Sequence, residues 1–399
     1  MNFFATTAKG MEALLAAELG ALGAAAVEPR RAGVAFGGSL ESAYRACLWS
    51  RVANRILLPL ASFDAATPEA LYAGVRAIEW GDHLGRGRTL AVDCSTSRSQ
   101  ITHSHYAALK TKDAIVDRLR DQRGARPDVD TARPDVRVNV YLHADRATVG
   151  IDLSGESQHR RGYRSRGAAA PLKENLAAAI LLLAEWPRRA REGQPLIDPM
   201  CGSGTIPLEA ALIAGDVAPG LRRDYFGCTG WRGHDPALWA RLRREADGRA
   251  AAGLRRLPPI HGYDADGRAV RAAHANLAGA HLAGRVHVER RALSACAPIP
   301  GRGRAADAGV LVANPPYGER LGDVETLGAL YAELGDVLRR RFPGWTGYVL
   351  TGTPALAKRI GLRPSRRIVL YNGAIECRLL ELPISTTPVR DEHGPRWRR

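Results

Sequence analysis

The stretch between positions 195 and 213 constrains the fold of this chain more than any other. The apolar run at 195–197 is typical of a buried strand, and residues 206–213 have the apolar spacing of a helix. Between them lies a loop that contains Gly202 and Gly204. Glycines let the backbone turn sharply and let a ligand approach it closely. The pattern therefore predicts the strand–loop–helix unit that opens a nucleotide-binding α/β fold.

The composition of this loop limits which ligand it could hold. A P-loop requires Lys and then Ser or Thr after its second glycine, whereas Thr205 and Ile206 follow here, and the third glycine of the dinucleotide fingerprint is absent. An acid followed by a short G-x-G is similar to the S-adenosylmethionine loop of class I methyltransferases; a purely structural turn is the alternative. The candidate cofactor-binding residues are Asp198, Pro199, Met200, Cys201, Gly202, Ser203, Gly204 and Thr205.

A second motif follows the apolar run at 310–313, which predicts another buried strand. It reads Asn314-Pro315-Pro316-Tyr317-Gly318. The two prolines exclude a helix and favour a rigid, extended elbow at a strand end, where α/β sheets bind ligands. The Asn314 side chain and the Pro315 carbonyl can accept hydrogen bonds from an exocyclic amine, and Tyr317 can stack on a base. We therefore predict catalytic roles for Asn314, Pro315, Pro316 and Tyr317, with a proline-rich structural turn as the alternative.

A third strand is predicted at 260–264, and it ends in an acid. In related folds, such an acid binds the ribose hydroxyls of the cofactor. This makes Asp264 a further candidate for cofactor binding, with Asp266 as a weaker one and Asn314 as a contact shared with the substrate.

Several segments together resemble one enzyme family, the bacterial 23S rRNA guanine-N2 methyltransferases of the RlmL type. They are residues 198–205, the NPPYGERL run at 314–321, the FATTAKG run at 4–10, and residues 152–155 and 159–164. The similarity covers nearly the whole chain, and it is to the stand-alone form of the enzyme because the sequence stops at Arg399. It implies S-adenosylmethionine-dependent formation of N2-methylguanosine in 23S rRNA. A tRNA guanine-N2 methyltransferase is the alternative, since a THUMP domain accompanies that activity too.

The resemblance also implies the fold class and the domain order. We expect a ferredoxin-like segment at 1–44, a THUMP RNA-binding domain at 45–155, a basic linker at 156–175, and a class I Rossmann-like methyltransferase domain at 176–384. A disordered tail is predicted at 385–399. The methyltransferase domain should end in an antiparallel hairpin around Asn372-Gly373, a strong turn signal. One position departs from the family, because Ala292 stands where an acid that binds the adenine amine is expected; backbone groups would then hold the adenine.

Charge supports an RNA partner. The chain has 57 Lys and Arg against 41 Asp and Glu, a net charge of +16, which favours a polyanionic partner. The abundance of Arg over Lys could reflect genomic composition, but that does not explain the excess of basic over acidic residues. The densest basic stretch is 159–167, where guanidinium groups surround Tyr163. It is either an RNA contact or a charged linker. The candidate RNA-binding residues are Lys112, Arg160, Arg161, Arg164 and Arg166.

Composition excludes other classes of protein. No apolar run approaches the roughly 20 residues of a membrane helix, and no signal peptide precedes the first strand. The six cysteines form no C-x-x-C pair, so we expect a reducing cytoplasm, no disulfide framework and no metal site. A non-catalytic RNA-binding assembly factor is the alternative from another functional class. The intact acid, glycines and Asn314 argue against it.

Overall fold

The computed structural model describes residues 1–164, 172–302, 308–317 and 321–386, without the side chains of 321–324 and 326. The chain folds into two compact units: Met1–Gly162 with Val217–Ala251, and Tyr163–Asp216 with the residues from Ala252 onward. In chain order, the elements are β1 (Asn2–Thr6), α1 (Glu12–Ala21), β2 (Ala25–Arg30), β3 (Gly33–Gly37), α2 (Leu40–Trp49), β4 (Arg55–Asp64), α3 (Pro68–Arg76), β5 (Leu90–Ser97), α4 (Ser104–Arg123), β6 (Val136–His143), β7 (Arg146–Asp152), α5 (Glu174–Leu183), α6 (Trp186–Arg191), β8 (Leu196–Asp198), α7 (Thr205–Ala214), α8 (Pro236–Gly253), β9 (Ile260–Asp264), α9 (Gly267–Gly279), β10 (His287–Arg290), β11 (Val310–Ala313), α10 (Leu321–Arg341), β12 (Thr346–Thr351), α11 (Pro354–Arg359), β13 (Arg366–Asn372) and β14 (Ile375–Pro383).

The first unit is built on one seven-stranded sheet in the order β2-β3-β1-β4-β7-β6-β5. The strand β4 joins its two halves, because it pairs antiparallel with β1 at one end and with β7 along most of its length. Alternating valines in β6 are buried, as the sequence predicts for a strand with one face in the core. The expected ferredoxin-like and THUMP segments therefore share a continuous sheet.

Residues 217–251 pack with the first unit, although they follow the glycine loop in sequence. Gly227 approaches the end of β7 so closely that a Cβ there would lie 2.1 Å from the Asp152 carbonyl oxygen. The aromatic rings of Tyr44 and Phe226 meet Trp239 edge to face, with centroids 5.1 and 4.8 Å away. The aromatic residues of this stretch therefore pin it to the first unit, a tertiary effect that its sequence alone does not indicate.

The second unit contains a seven-stranded sheet in the order β10-β9-β8-β11-β12-β14-β13. The first five strands run parallel, and β14 pairs antiparallel with β12 and β13. The strand order reverses direction between β8 and β11, which is the topological switch point where such sheets bind ligands. The α/β class and the C-terminal antiparallel hairpin predicted from sequence are confirmed. None of the helices in the described part of the chain has both the length and the apolar character to cross a membrane.

The hairpin differs from the sequence expectation by one position. Asn372 is the last residue of β13 and pairs with Ile375, so the turn consists of Gly373 and Ala374. Gly373 has φ +65° at the first turn position, which glycine adopts without strain. The shift places Asn372 on a strand instead of at the tip of the turn.

Two glycines of α10 allow a test of this packing. A Cβ at Gly335 would lie 1.8 Å from the carbonyl oxygen of Ile360, which follows α11. We expect Gly335→Ala to destabilise the protein by about 1–3 kcal/mol despite the better helix propensity of alanine. Gly328→Ala is the matched control, because among the described atoms only Arg359 Nε would lie near its Cβ, at 3.7 Å. It should stabilise the protein by about 0.5–1 kcal/mol in thermal unfolding. Equal effects of the two changes would contradict this packing.

Candidate active site

The glycine loop connects β8 to α7 and is held by backbone hydrogen bonds to the neighbouring strand β9. The Cys201 N–H donates to the Tyr263 carbonyl oxygen at 2.8 Å, and the Gly202 N–H donates to Asp264 Oδ2 at 2.8 Å. Gly202 and Gly204 have φ +55° and +78°, a region that favours glycine. An added Cβ at Gly202 would meet no atom of the described residues within 4 Å. The backbone at Gly202 is therefore open to close approach by a ligand.

Helix α9 supports the loop from its other side. Asn276 is buried on α9, and its Nδ2 donates to the Ser203 carbonyl oxygen at 2.9 Å. Gly204 lies against Ala273 of the same helix, where a Cβ would come within 3.0 Å of the Ala273 Cβ. The role of Asn276 is not apparent from the sequence, because an Asn inside a helical pattern carries no local signal of a contact about 70 residues away. These contacts fix the position of the loop.

Asp198 ends β8 and is fully buried, with 1% of its surface exposed. Its Oδ1 accepts a hydrogen bond from the Met200 N–H at 3.1 Å. Burial raises the pKa of the Asp198 carboxyl well above its usual range, and the negative charge of Asp264 raises it further. A cationic ligand group near this carboxyl would oppose both effects and favour the carboxylate.

Asp264 and Asp266 have different structural roles. Asp264 ends β9, and its Oδ1 accepts from the Asp266 N–H at 2.9 Å while its Oδ2 accepts from the Gly202 N–H. Asp266 caps α9 by accepting the Arg268 N–H at 2.8 Å. This hydrogen bond lowers the pKa of the exposed Asp266 carboxyl. Asp264 thus adjoins the glycine loop directly, whereas Asp266 serves first as a helix cap.

The elbow that follows β11 leaves one polar atom without a partner. Asn314 Oδ1 is buried, and none of the donors in the described segments forms a hydrogen bond with it. A buried acceptor without a partner costs free energy, of the order of 1–3 kcal/mol. Such an atom is therefore well suited to accept an N–H group that arrives with a ligand. Pro315 is buried beside it and Pro316 is exposed.

Tyr317 is oriented by the C-terminal hairpin. Asn372 Nδ2 donates to the Tyr317 hydroxyl at 2.7 Å. The ring lies close to Gly352, which follows β12, where a Cβ would come within 3.0 Å of Tyr317 Cδ2. Burial raises the pKa of the Tyr317 hydroxyl, so the side chain stays neutral. The sequence pattern indicates neither contact, because Asn372 resembles an ordinary turn residue and Gly352 carries no local signal.

The fold brings these parts together at one edge of the second sheet. Strands β8, β9 and β11 are parallel neighbours, so the residues at their carboxyl ends, Asp198, Asp264 and Asn314, lie along the same edge. Met200 of the glycine loop and Tyr317 of the elbow pack against the same hydrophobic cluster. The arrangement places a loop that can hold a cofactor beside an elbow that can bind a planar group carrying an amine.

Two predicted RNA-binding arginines have structural partners instead. Arg161 is buried, and its guanidinium donates to the carbonyl oxygens of Gln158 at 2.7 Å and Arg51 at 2.5 Å. Arg164 forms an ion pair with Glu174 at 2.7 Å and donates to Thr205 Oγ1 at 2.9 Å. A contact with RNA does not fit the burial of Arg161. The pairing of Arg164 ties the start of α7 to α5.

The other basic candidates are placed differently. Tyr163, at the centre of the basic stretch, is buried and donates to Glu209 Oε1 at 3.2 Å. Arg160 is exposed with its guanidinium 3.9 Å from Glu156, and Lys112 is partly exposed and paired with Asp113 at 2.8 Å. Contacts of these two residues with RNA stay predictions. Arg166 lies outside the described residues, as do positions 318–320 of the NPPYGERL run and 387–399 of the predicted tail.

Ala292 occupies the position where the family that this sequence resembles is expected to have an adenine-binding acid. It is exposed just after β10, whose last residue Arg290 pairs with Asp264 of β9. The Arg291 N–H donates to the Asp264 carbonyl oxygen at 3.0 Å. The end of β10 therefore adjoins the proposed ribose acid, and an adenine contact through backbone groups near Ala292 stays a prediction.

Comparison with protein families agrees with this geometry. A model described as the RMKL-like methyltransferase domain matches residues 161–381, which is more than half of the chain. The chain belongs to the RMKL-like methyltransferase family. The RlmL ferredoxin-like domain matches residues 2–57 of this family member, and the THUMP domain matches residues 65–152. The resemblance predicted from the sequence motifs is confirmed.

Curated relatives are similar to this protein over almost all of the chain. A ribosomal RNA large subunit methyltransferase K/L from Methylococcus capsulatus is 56% identical over 96% of the chain and 51% of its own length. Its namesake from Syntrophotalea carbinolica is 53% identical over 96% of the chain and 54% of its own length. The chain therefore spans about half the length of the curated relatives that it matches.

Solved structures of similar proteins share the complete architecture. The structure of SMU.472 complexed with SAH superposes with a TM-score of 0.84 at 33% identity, covering 96% of this chain and 98% of that one. A predicted N6-adenine-specific DNA methylase from Listeria monocytogenes gives a TM-score of 0.83 at 33% identity, covering 96% of each chain. These similarities confirm the predicted order of an α+β N-terminal region and a class I methyltransferase domain.

Proposed function

We propose that this chain transfers the methyl group of S-adenosylmethionine to the N2 amine of a guanosine in 23S rRNA. The observation that carries the proposal is the buried Oδ1 of Asn314, an acceptor with no donor among the described residues. It stands at the carboxyl end of β11, directly beside the strand that leads into the glycine loop. The curated relatives are named for methylation of large-subunit ribosomal RNA, which supports the substrate class.

The residues around the glycine loop fit S-adenosylmethionine. When bound, this cofactor supplies a methyl group on a positively charged sulfonium. Asp198 is a buried carboxyl that a cationic ligand would stabilise in its ionised form. Gly202 offers open backbone, and Asp264, beside it at the end of β9, has acceptor capacity for ribose hydroxyls. SAH, the demethylated product of this cofactor, is bound in the related structure of SMU.472.

The elbow residues would activate the amine. The lone pair of an exocyclic amine is delocalised into the ring, which makes the nitrogen a weak nucleophile. Asn314 Oδ1 and the Pro315 carbonyl would accept its two N–H groups and favour a pyramidal nitrogen with an available lone pair. Since the prolines hold this loop extended, the acceptors need little reorganisation on binding. Much of the rate then comes from positioning the nitrogen in line with the methyl group.

The leaving proton needs no strong base from the protein. A methylated exocyclic amine is cationic and acidic, so water or the Asn314 carbonyl can take the proton. Tyr317 is not suited to act as a base, because burial raises the pKa of its hydroxyl. Its ring would instead stack on the flipped target base.

The RNA partner rests on two further observations. The THUMP match at residues 65–152 and the net charge of +16 both fit a polyanionic substrate. Within this proposal, the reaction takes place in the cytoplasm on 23S rRNA or on an assembling large subunit.

The hydrogen bond between Asn372 and Tyr317 gives a prediction on substrate binding. Tyr317→Ala should lower kcat/KM by about 10- to 100-fold, since one stacked base contributes about 1–3 kcal/mol. Tyr317→Phe and Asn372→Ala should each cause a smaller loss, mainly in KM. The double variant Tyr317→Phe with Asn372→Ala should have a kcat/KM no lower than that of either single variant, because both changes remove the same hydrogen bond. Steady-state kinetics with an RNA substrate would measure these values.

A neighbouring tyrosine provides the control for that series. Tyr371 lies on the same hairpin, and its hydroxyl donates to Glu376 at 2.8 Å. Tyr371→Phe should leave kcat/KM unchanged within about twofold. Additive losses from Tyr317→Phe and Asn372→Ala would show that Asn372 does not act through Tyr317.

The substrate proposal is tested by methylation of defined nucleic acids. Labelled S-adenosylmethionine would be incubated with the protein and with 23S rRNA that lacks the modification, and in parallel with 16S rRNA, tRNA and duplex DNA. Label in 23S rRNA alone supports the proposal. Label in tRNA alone would replace it with the tRNA guanine-N2 activity, and binding of RNA without any transfer would favour the non-catalytic assembly factor.

A further inference from the structure

A surface pocket of the first unit is lined by four arginines that have no part in the proposed reaction. Its volume is about 530 Å³, and its walls include Arg86, Arg88, Arg123 and Arg232, here called the arginine pocket, together with Trp231. The arginines come from the loop before β5, the last residue of α4 and the 217–251 segment. The pocket therefore lies wholly within one compact unit.

The part of the pocket wall that comes from the 217–251 segment is fixed by contacts with neighbouring loops. Gly230 lies so close to Asp135 that a Cβ there would come within 2.4 Å of the Asp135 carbonyl oxygen. The Arg232 N–H donates to the His83 carbonyl oxygen at 3.0 Å, and Trp231 Nε1 donates to His83 Nδ1 at 3.1 Å. These contacts fix Trp231 and Arg232 against the loop that carries Arg86.

Two of the guanidinium groups are anchored without being neutralised. Arg123 donates to the carbonyl oxygens of Leu84 at 2.8 Å and Gly81 at 3.0 Å. Arg232 donates to the same Gly81 oxygen at 2.6 Å. Carbonyl groups orient a guanidinium but leave its full charge, and each guanidinium has further N–H donors available. Less side-chain entropy is then lost when the group binds an anion.

The balance of charge around the pocket is positive. Arg88 is paired with Asp135 at 2.8 Å. Within the described segments, Arg86, Arg123 and Arg232 form no ion pair with an acid. Three uncompensated guanidinium groups around one pocket match the planar, forked recognition of phosphate oxygens. The volume exceeds that of a phosphate alone and leaves room for part of the attached nucleotide.

We infer that the arginine pocket binds a backbone phosphate of the RNA substrate. The inference rests on the proposed function, because RNA supplies the phosphate. It assigns an electrostatic contact to the pocket and not to Arg161, which is buried, or to Arg164, which is paired with Glu174. The 217–251 segment then completes an RNA-binding surface on the unit that contains the THUMP match.

Charge reversal tests the site. Arg86→Glu combined with Arg232→Glu should weaken binding of the RNA substrate by about tenfold or more in low salt. The slope of log affinity against log salt should become less steep by about 1, since loss of one phosphate contact removes about 0.9 from it. The double Arg→Lys variant should bind with intermediate affinity, because it keeps the charge and loses the fork. S-adenosylmethionine affinity should not change in any of these variants.

A matched charge reversal separates the site from a general electrostatic effect. Arg146 is exposed on β7, where its guanidinium pairs with Asp64. It lies opposite His143 at the last position of β6, about 23 Å along that strand from the end nearest the pocket. Arg146→Glu should weaken RNA binding much less than Arg86→Glu alone. Arg86 has no hydrogen bond among the described residues, so its replacement removes no folding contact, and thermal unfolding would verify this.

The outcomes distinguish this inference from the proposed function. If the unmodified protein methylates RNA and Arg86→Glu binds RNA as tightly as Arg146→Glu does, the pocket inference is wrong and the function stands. If the protein binds no RNA, the proposed function is wrong, and the pocket inference that rests on it is wrong as well. Should inorganic phosphate bind the pocket while charge reversal leaves RNA affinity intact, the site would be one for a free anion, which also overturns the inference.

Discussion

Replacing Asn314 with alanine should lower kcat for methyl transfer by about 100- to 1000-fold, while S-adenosylmethionine binding changes by no more than about twofold. Loss of one preorganised hydrogen-bonding group that acts in the transition state has an effect of this size. Asn314 Oδ1 is such a group here, buried and without a donor in the described part of the protein. Single-turnover transfer to RNA would measure the chemical step, and calorimetric titration would measure cofactor affinity.

Asn314→Asp is the informative companion variant. A carboxylate oxygen at this position can still accept an N–H group, so this variant should retain more activity than Asn314→Ala. Parallel loss of cofactor binding and transfer in Asn314→Ala would contradict the proposed role. It would show that Asn314 supports the cofactor site as a whole instead of the amine.

The second large effect is expected at Gly202. Gly202→Ala should weaken S-adenosylmethionine binding by at least about tenfold, because the new methyl group would occupy the space through which the ligand approaches the backbone. In the described part of the chain, no atom lies within 4 Å of that Cβ position. The ligand-free protein should therefore lose only the cost of a left-handed backbone at alanine, about 1–2 kcal/mol.

Gly284 provides the matched control for this experiment. It has φ +73°, and a Cβ there would also have no described neighbour within 4 Å, but it lies in the loop between α9 and β10. Gly284→Ala should show the same modest loss of stability and no change in cofactor affinity. Unfolding in the presence and absence of ligand would give both quantities. Equal cofactor affinities of the two variants would contradict close approach of the ligand at Gly202.

The parts of the site that could be predicted are those whose chemistry is local in sequence. Asp198, Gly202 and Gly204 sit on one strand–loop–helix unit, and the elbow at Asn314 follows a separate apolar strand. A parallel sheet brings such strand ends to one edge, so their proximity follows from the predicted fold class. The position of each motif at the end of a predicted strand was therefore enough to predict that these residues lie close together.

The residues that could not be predicted act through tertiary contacts. Asn372 reaches Tyr317 only because the hairpin turn lies one residue later than the Asn-Gly pair suggested. Asn276 supports the glycine loop from another helix. Arg161 is basic in sequence but is used to satisfy buried carbonyl groups. No local pattern distinguishes these partners from ordinary surface or turn residues.

The same reason applies to the 217–251 segment. Phe226 and Trp239 are buried in the first unit, while Arg232 lines the arginine pocket. No local pattern in the sequence indicates that these residues pack with the first unit.

The most direct test of the central claim is the identity of the methylated nucleoside. The protein would be incubated with rRNA and S-adenosylmethionine carrying a labelled methyl group, and the RNA would then be digested and analysed by mass spectrometry. The account predicts label in N2-methylguanosine. Label on a ring carbon or on a ribose hydroxyl would contradict it, because those positions offer no amine for the acceptors at Asn314 and Pro315.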